Sequence, residues 1–458
     1  MQLAKSSKYT IDATQGPILP KLLRFILPLA LASMLQLFYN AADVVVVGRY
    51  AGPQSLAAVG SNSSLINLLI NLVIGLSVGA SVLTAQYYGA HDDENVSASV
   101  HTAMALSVIG GLTVGLIGFT FCRRLLHMMQ SPEDVIDLGT LYLRIYFCGM
   151  PAQMVYNFGA GVLRAVGDTR RPLYILSFSG LVNVCLNLVF VIVFHMDVAG
   201  VALATITSQF ISAALVVRCL MHADAAFRLY PKRLRIERDK FLKVLRIGLP
   251  AGLQGIVFSL SNILIQSSVN WFGSQVMAGS AAATSIEGFV YVAQNAVYQG
   301  ALTFSGQNIG AKRYDRIHRI TLTCVLTVTV LGFALGAASV IFGHQLLRIY
   351  NTDPQVIEYG MIRLRMFGYA YFMCGVMEVF VAMMRGMGRS FVPMVVSLMG
   401  ACVFRIIWIY TIFQKFHTLN VLFVSYPISW VLTAAVQFIC YLVVYRQVVR
   451  KAQQQTAA

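Results

Sequence analysis

The sequence predicts an all-α integral membrane protein, with twelve transmembrane helices arranged as two parallel six-helix lobes. Three observations carry that expectation. Hydrophobic residues make up 57% of the chain and charged residues only 11%, where a soluble domain carries ~25% charged. The apolar residues fall in long runs, each near the ~20 residues that a helix needs to cross a bilayer. Blocks of the first half also return in the second 221 positions later, or 222 in the first span, where LRFILP (23–28) returns as LRIGLP (245–250).

Gly, Pro and charge punctuate the runs and set the spans at 22–48, 57–86, 98–121, 138–161, 172–195, 198–221, 241–272, 281–309, 318–343, 359–385, 391–414 and 418–445. This gives an N-terminal lobe over 1–221, a basic connector over 222–240, a C-terminal lobe over 241–446 and a tail over 447–458. No n-region, short apolar core and cleavage site precede the first span, so no removable signal peptide is expected. The net charge of +16 does not point to nucleic acid. Nine Lys and Arg lie between Arg218 and Arg246, and others flank the spans, a placement that suits loops facing anionic lipid. With both termini in the cytoplasm, 25 basic residues lie inside against at most 8 outside, Arg144, Arg363 and Arg365 being counted near span entrances. The positive-inside rule therefore sets the orientation.

The repeat is read from separated blocks. SPEDVIDLGTLYLRIYFCG (131–149) returns as TDPQVIEYGMIRLRMFGYA (352–370), and VLRAVGDTRRP (162–172) as MMRGMGRSFVP (383–393). Gln86, Gly89 and Ala90 keep the same register with Gln307, Gly310 and Ala311. An even number of spans per copy makes the repeats parallel, related by an axis along the membrane normal. Two such lobes rocking against each other would give alternating access.

The first span sets the chemistry. Asp43 is the single charge between Arg24 and Arg49. A carboxyl inside such a run costs ~2.5–3.5 kcal/mol on insertion scales, which marks a functional position by default. Ser33, Gln36, Asn40 and Asp43, spaced 3, 4 and 3, share one face of a helix. Glu287, Tyr291, Gln294 and Tyr298 do the same in the eighth span, and Ser179, Asn183 and Asn187 in the fifth. Gly255, Ser259, Asn262 and Gln266 form a stripe in the seventh. Glu378 lies in the tenth, with Asn157 at its position in the first repeat, whereas Ile265 stands where a second Asp43 would fall. Gln36, Glu287, Tyr291, Gln294, Glu378, Asn157 and Asn262 are the candidates for a substrate cavity. Two bland readings stand beside this one: Glu287 as interhelical glue, and Glu378 paired with Arg405.

The eight cysteines are isolated, with no CxxC, and read as small buried hydrophobes. HExxH, P-loop and nucleophile-elbow motifs are missing, so the chain is expected not to be an enzyme and to draw on an ion gradient.

At this point the residues suggest a family. The N-terminal TQGPILPKLLRFILPLALASMLQLFYNAADVVVVGRYAG, the LRAVGDTRRP loop and VAQNAVYQGALTFSGQNIGAKR resemble the multidrug and toxic compound extrusion (MATE) transporters, over essentially the whole chain. The resemblance implies two bundles in a V and cation-coupled antiport of amphipathic, mainly cationic drugs or metabolites. It further implies no cofactor beyond the coupling ion, H⁺ or Na⁺, and a monomer in a bacterial inner membrane with both termini cytoplasmic. Its partners would be small amphipathic cations and membrane lipid, without nucleic acid. Asp43 matches the first-helix aspartate that serves as cation site in the bacterial branch, and Asn183 and Thr205 match its fifth-helix Asn and sixth-helix Thr. Asn187 stands where that branch usually has a second Asp. The expected coupling set is thus Asp43, Asn40, Asn183, Asn187 and Thr205, with Asp43 a metal ligand only under Na⁺ coupling. One acid fewer favours protons. The rival reading is a flippase for lipid-linked precursors or oligosaccharides, a class that tends to carry basic residues in its cavity.

Overall fold

A computed structural model describes residues 9–50, 52–128, 133–223 and 226–457, and these are almost wholly helical. The first repeat contributes α1 (Ile18–Tyr50), α2 (Gly52–Gly89), α3 (Asp93–Met128), α4 (Glu133–Cys148) and α5 (Met150–Ala165). It ends with α6 (Arg170–Leu188), which runs on as a π-helical turn over Val189–Val193, and α7 (Asp197–Met221). After a 3₁₀ turn at Pro231–Arg233 come α8 (Arg238–Asn270), α9 (Ser274–Gly310), α10 (Tyr314–Ile341), α11 (Gly343–Tyr350), α12 (Pro354–Gly368) and α13 (Tyr371–Gly386). The eleventh span is composite. It passes from α14 (Phe391–Ser397) through π turns at Leu398–Val403 and Ile409–Phe413, with α15 (Phe404–Trp408) between them and α16 (Gln414–Phe416) after. Finally comes α17 (Leu419–Ala457).

Among the described residues ten helical runs are long and apolar enough to cross a bilayer, eleven if α12 and α13, bent by 46° at their junction, count as one span. Their first-repeat counterparts α4 and α5 start 221 positions earlier and break at the same place. The break in the first repeat has a local cause. Pro151 lies in the first turn of α5, where a missing N–H and a fixed φ favour a new helix start. The turns repeat as faithfully as the helices. His91 and Lys312 both take left-handed φ values (55° and 56°), as do Gly167 and Gly388.

In hydrocarbon no hydrophobic drive holds helix to helix, so close backbone approach does. Gly75 and Gly79 of α2 face Gly248 and Gly252 of α8, two small-xxx-small motifs in register. A methyl on Gly75 would lie 2.1 Å from the Gly252 nitrogen, and one on Gly79 2.2 Å from the Val244 carbonyl oxygen. Gly75→Ala is therefore expected to cost about 1–3 kcal/mol through forced separation, read as an earlier thermal melt in detergent. Unchanged melting would show that these backbones do not meet.

Contacts sort the chain into two compact units. One holds Leu31–Gly252 with the segment ending at Asp12, and the other holds Ala13–Ala30 with the chain from Leu253 onward. The changeovers thus fall inside α1 and α8, two residues after Pro28 and Pro250, whereas the sequence reading divides the chain at 222–240. Each proline removes a helical hydrogen bond and allows a kink, so one helix can serve two units. The basic connector is fastened to the first. Tyr230 N–H donates to His101 Nε2 of α3 (3.1 Å), Glu237 N–H to Thr102 Oγ1 (3.2 Å), and Lys240 Nζ to Tyr87 Oη of α2 (3.2 Å).

The first unit packs around Phe147, Phe158 and Phe227, the second around Phe304, Phe367 and Phe423, all fully buried. Large apolar side chains are exposed in rows, Ile109, Leu112 and Leu116 on α3 and Leu326, Val330 and Phe333 on α10. Such rows suit hydrocarbon. Among the cysteines Cys122, Cys324 and Cys402 are buried, but Cys148 and Cys185 are exposed, so uniform burial does not hold. An apolar surface admits cysteine as readily as an apolar core.

Candidate functional site

In the first unit the structure joins α1 to α6 at the acid. Gly180 lacks the methyl that would strike the Tyr39 ring at 1.9 Å, and Tyr39 Oη donates to the Ser177 carbonyl at 3.2 Å. That close crossing puts Asp43, one turn beyond Tyr39, against the next turns of α6. Asn187 Nδ2 donates to Asp43 Oδ1, and it lies 3.5 Å from Asn183 Oδ1. Asn187 is wholly buried and Asn183 nearly so, while Asp43 is half-buried. The carbonyl Oδ1 of Asn187 is buried without a hydrogen-bond partner among the described residues.

Two other members of the expected set stand apart. The Thr205 hydroxyl donates to the Val201 carbonyl of its own helix (2.9 Å), and Asn40 is exposed. The assembled group is thus Asp43, Asn183 and Asn187, immediately before the π turn of α6. π turns are wider and often mark functional positions. Chemically, the group offers a carboxylate for a proton, or carboxylate and amide oxygens for a hard cation.

The cavity candidates divide between the units. Gln36 is exposed, and Asn157 bonds back to Gln153 of its own helix (2.8 Å) in the first. In the second, Glu287 is engaged on both oxygens. Arg363 Nε donates to Oε1 and Nη2 to Oε2, each at 2.9 Å, and Nη1 donates to Ser280 Oγ at 2.9 Å. Both partners are buried, and the guanidinium lies 4.8 Å over the Phe367 ring. This geometry is interhelical glue between α9 and α12. Arg363, placed by the sequence reading near a span entrance, is buried inside the unit. Its repeat counterpart is Tyr142 and that of Glu287 is Ile66, so a charge gained at two positions of one copy was the available signal.

Gln294 donates to the Tyr371 carbonyl (3.2 Å). Tyr298 accepts from Arg385 Nη1 (2.6 Å), whose Nη2 donates to Gln254 Oε1 (2.8 Å). Tyr291 and Asn262 are exposed. Glu378 is half-buried and makes no hydrogen bond or ion pair among the described residues. Its suggested partner Arg405 turns elsewhere, donating from Nε to Ser429 Oγ (2.8 Å) and lying 4.0 Å over the Tyr426 ring.

Comparison with known proteins adds the following. The family model MatE matches residues 28–189 and again 250–411, one match per repeat. The chain is 27% identical over 381 residues to the probable multidrug resistance protein YoeA of Bacillus subtilis, covering 82% of each chain. It is 23% identical over 392 residues to the FAD transporter of Shewanella oneidensis, covering 84% of this chain and 85% of that one. A multidrug resistance MATE family transporter solved in an outward-facing conformation superposes with a TM-score of 0.90 at 22% identity, covering 97% of this chain and all of the other. At that identity the superposition establishes the two-lobe fold.

Proposed function

The chain belongs to the MatE family of membrane transporters, and from that premise we propose that it is a multidrug exporter coupled to an inward cation gradient. The reading extends to amphipathic, mainly cationic compounds moved by alternating access, with the repeats over 1–221 and 241–446 as the moving bodies. It places the protein in the bacterial inner membrane with both termini cytoplasmic. The observation that carries it is the Asn187–Asp43 hydrogen bond between two spanning helices, beside a π turn. An ion arriving at Asp43 removes its negative charge and competes for that bond, which lets α1 and α6 repack. Cargo and ion thereby bias one two-state element, and coupling is reciprocal. A proton is favoured because Asp43 has amide neighbours in place of a second acid. Glu378, a half-buried acid with no hydrogen bond or ion pair among the described residues, is the proposed lure for a cationic centre, since Glu287 is neutralised by Arg363.

Reciprocity gives the test. Affinity of the purified protein for a fluorescent cationic dye is expected to fall about tenfold as pH is lowered through the Asp43 titration, within the usual range of coupling energies. Asp43→Asn should flatten that dependence. Dye affinity indifferent to both pH and Na⁺ would contradict a shared element.

A further inference from the structure

Arg405 stands at the middle of the span Phe391–Phe416, between its two π turns. It is 3% exposed. Of the five N–H donors in a guanidinium, only Nε has a hydrogen-bond partner among the described residues, Ser429, and Nη2 is enclosed with none there. No carboxylate among the described residues pairs with it. The guanidinium carbon lies 4.0 Å over the Tyr426 ring and 5.8 Å over the Trp430 ring, which leaves the Nη edge as the unanswered part. The other buried arginines of this unit differ. Arg363 has Glu287 on two bonds, and Arg385 has Tyr298 and Gln254.

Its place in the repeat is informative. Tyr426 is the counterpart of Thr205, and Ile265 that of Asp43. Arg405 itself stands where the first copy has Val184, so the second copy lacks the acid of the first and carries a base in the span that corresponds to α6. A charged side chain deep in a spanning helix marks a ligand or ion path, and a guanidinium edge is shaped for two parallel bonds to a carboxylate. The adjoining π turns supply backbone able to shift when such a group enters.

Resting on the transport reading, we propose that Arg405 receives a carboxylate carried by the transported molecule. The preferred cargo is then a zwitterionic amphiphile, its cationic centre drawn to Glu378 and its anionic group to Arg405.

The test uses a matched pair, a rhodamine bearing a free carboxylate and its methyl ester, with the full-length protein. Equilibrium binding in detergent and flux in proteoliposomes are measured for wild type, Arg405→Gln and Arg405→Lys. Wild type should prefer the acid over the ester by about tenfold, the scale of one charge-assisted bond pair. Arg405→Gln should erase that ratio while ester affinity stays within about twofold, and Arg405→Lys should keep part of it. An acid-to-ester ratio near one in wild type, or equal in wild type and Arg405→Gln, overturns the assignment and leaves Arg405 as a stacked packing residue. Should Gln prevent folding, loss of the two-bond geometry in Lys must still lower the ratio. Arg405-dependent binding without flux of either dye supports the anion site while removing the export reading.

Discussion

Asp43→Asn should lower gradient-driven transport by about 100-fold, near the upper range of a coupling free energy, while the protein still inserts and folds. The substitution keeps shape and volume, and it removes the group that takes up and releases an ion. Asn187 can still pair with the new amide, so the α1–α6 contact made by Tyr39 and Gly180 persists. Insertion should be no worse, because an aspartate within a span costs ~2.5–3.5 kcal/mol that an asparagine partly avoids. Asn187→Ala should have the same sign with a smaller effect, since Asn183 remains nearby. Expression, melting temperature and flux measured together separate the readings. Wild-type flux in Asp43→Asn would remove this carboxyl from coupling.

The second large effect concerns stability. Arg363→Met leaves the Glu287 carboxylate buried with nothing to neutralise it, and breaking such a pair costs about 3–5 kcal/mol. The repeat supplies the control. Ile66 and Tyr142 fill the corresponding positions in the first copy, so the double variant Glu287→Ile with Arg363→Tyr should recover most of the loss. Neighbouring sites are not expected to add. Thermal melts in detergent of the single and double variants check this. Melting of Arg363→Met at the wild-type temperature, or a double variant as unstable as the sum of its parts, would contradict the account of that pair.

Much of the architecture was legible because its signals are local. Apolar run length announces a span, and blocks recurring 221 or 222 positions apart expose the duplication, which the family matches over 28–189 and 250–411 bear out. Asp43 was legible for the same reason, a lone carboxyl in an apolar run. Partners were harder. The fate of Glu287 depends on Arg363, 76 positions away, and nothing in the local pattern tells an arginine near a span end from one folded inward. Arg405 could be seen as deep, yet its isolation from Glu378 is a matter of side-chain direction. The changeover of α1 and α8 between units also escaped a reading by spans. It falls two residues after Pro28 and Pro250, inside helices whose hydropathy runs on without a break.

Dye flux in proteoliposomes under an imposed pH gradient, set beside the same experiment under a Na⁺ gradient, tests cation-coupled export most directly. The account predicts uphill dye movement driven by the proton gradient in wild type and lost in Asp43→Asn. Dye movement that runs only downhill, at one rate under either gradient and in both proteins, would contradict it.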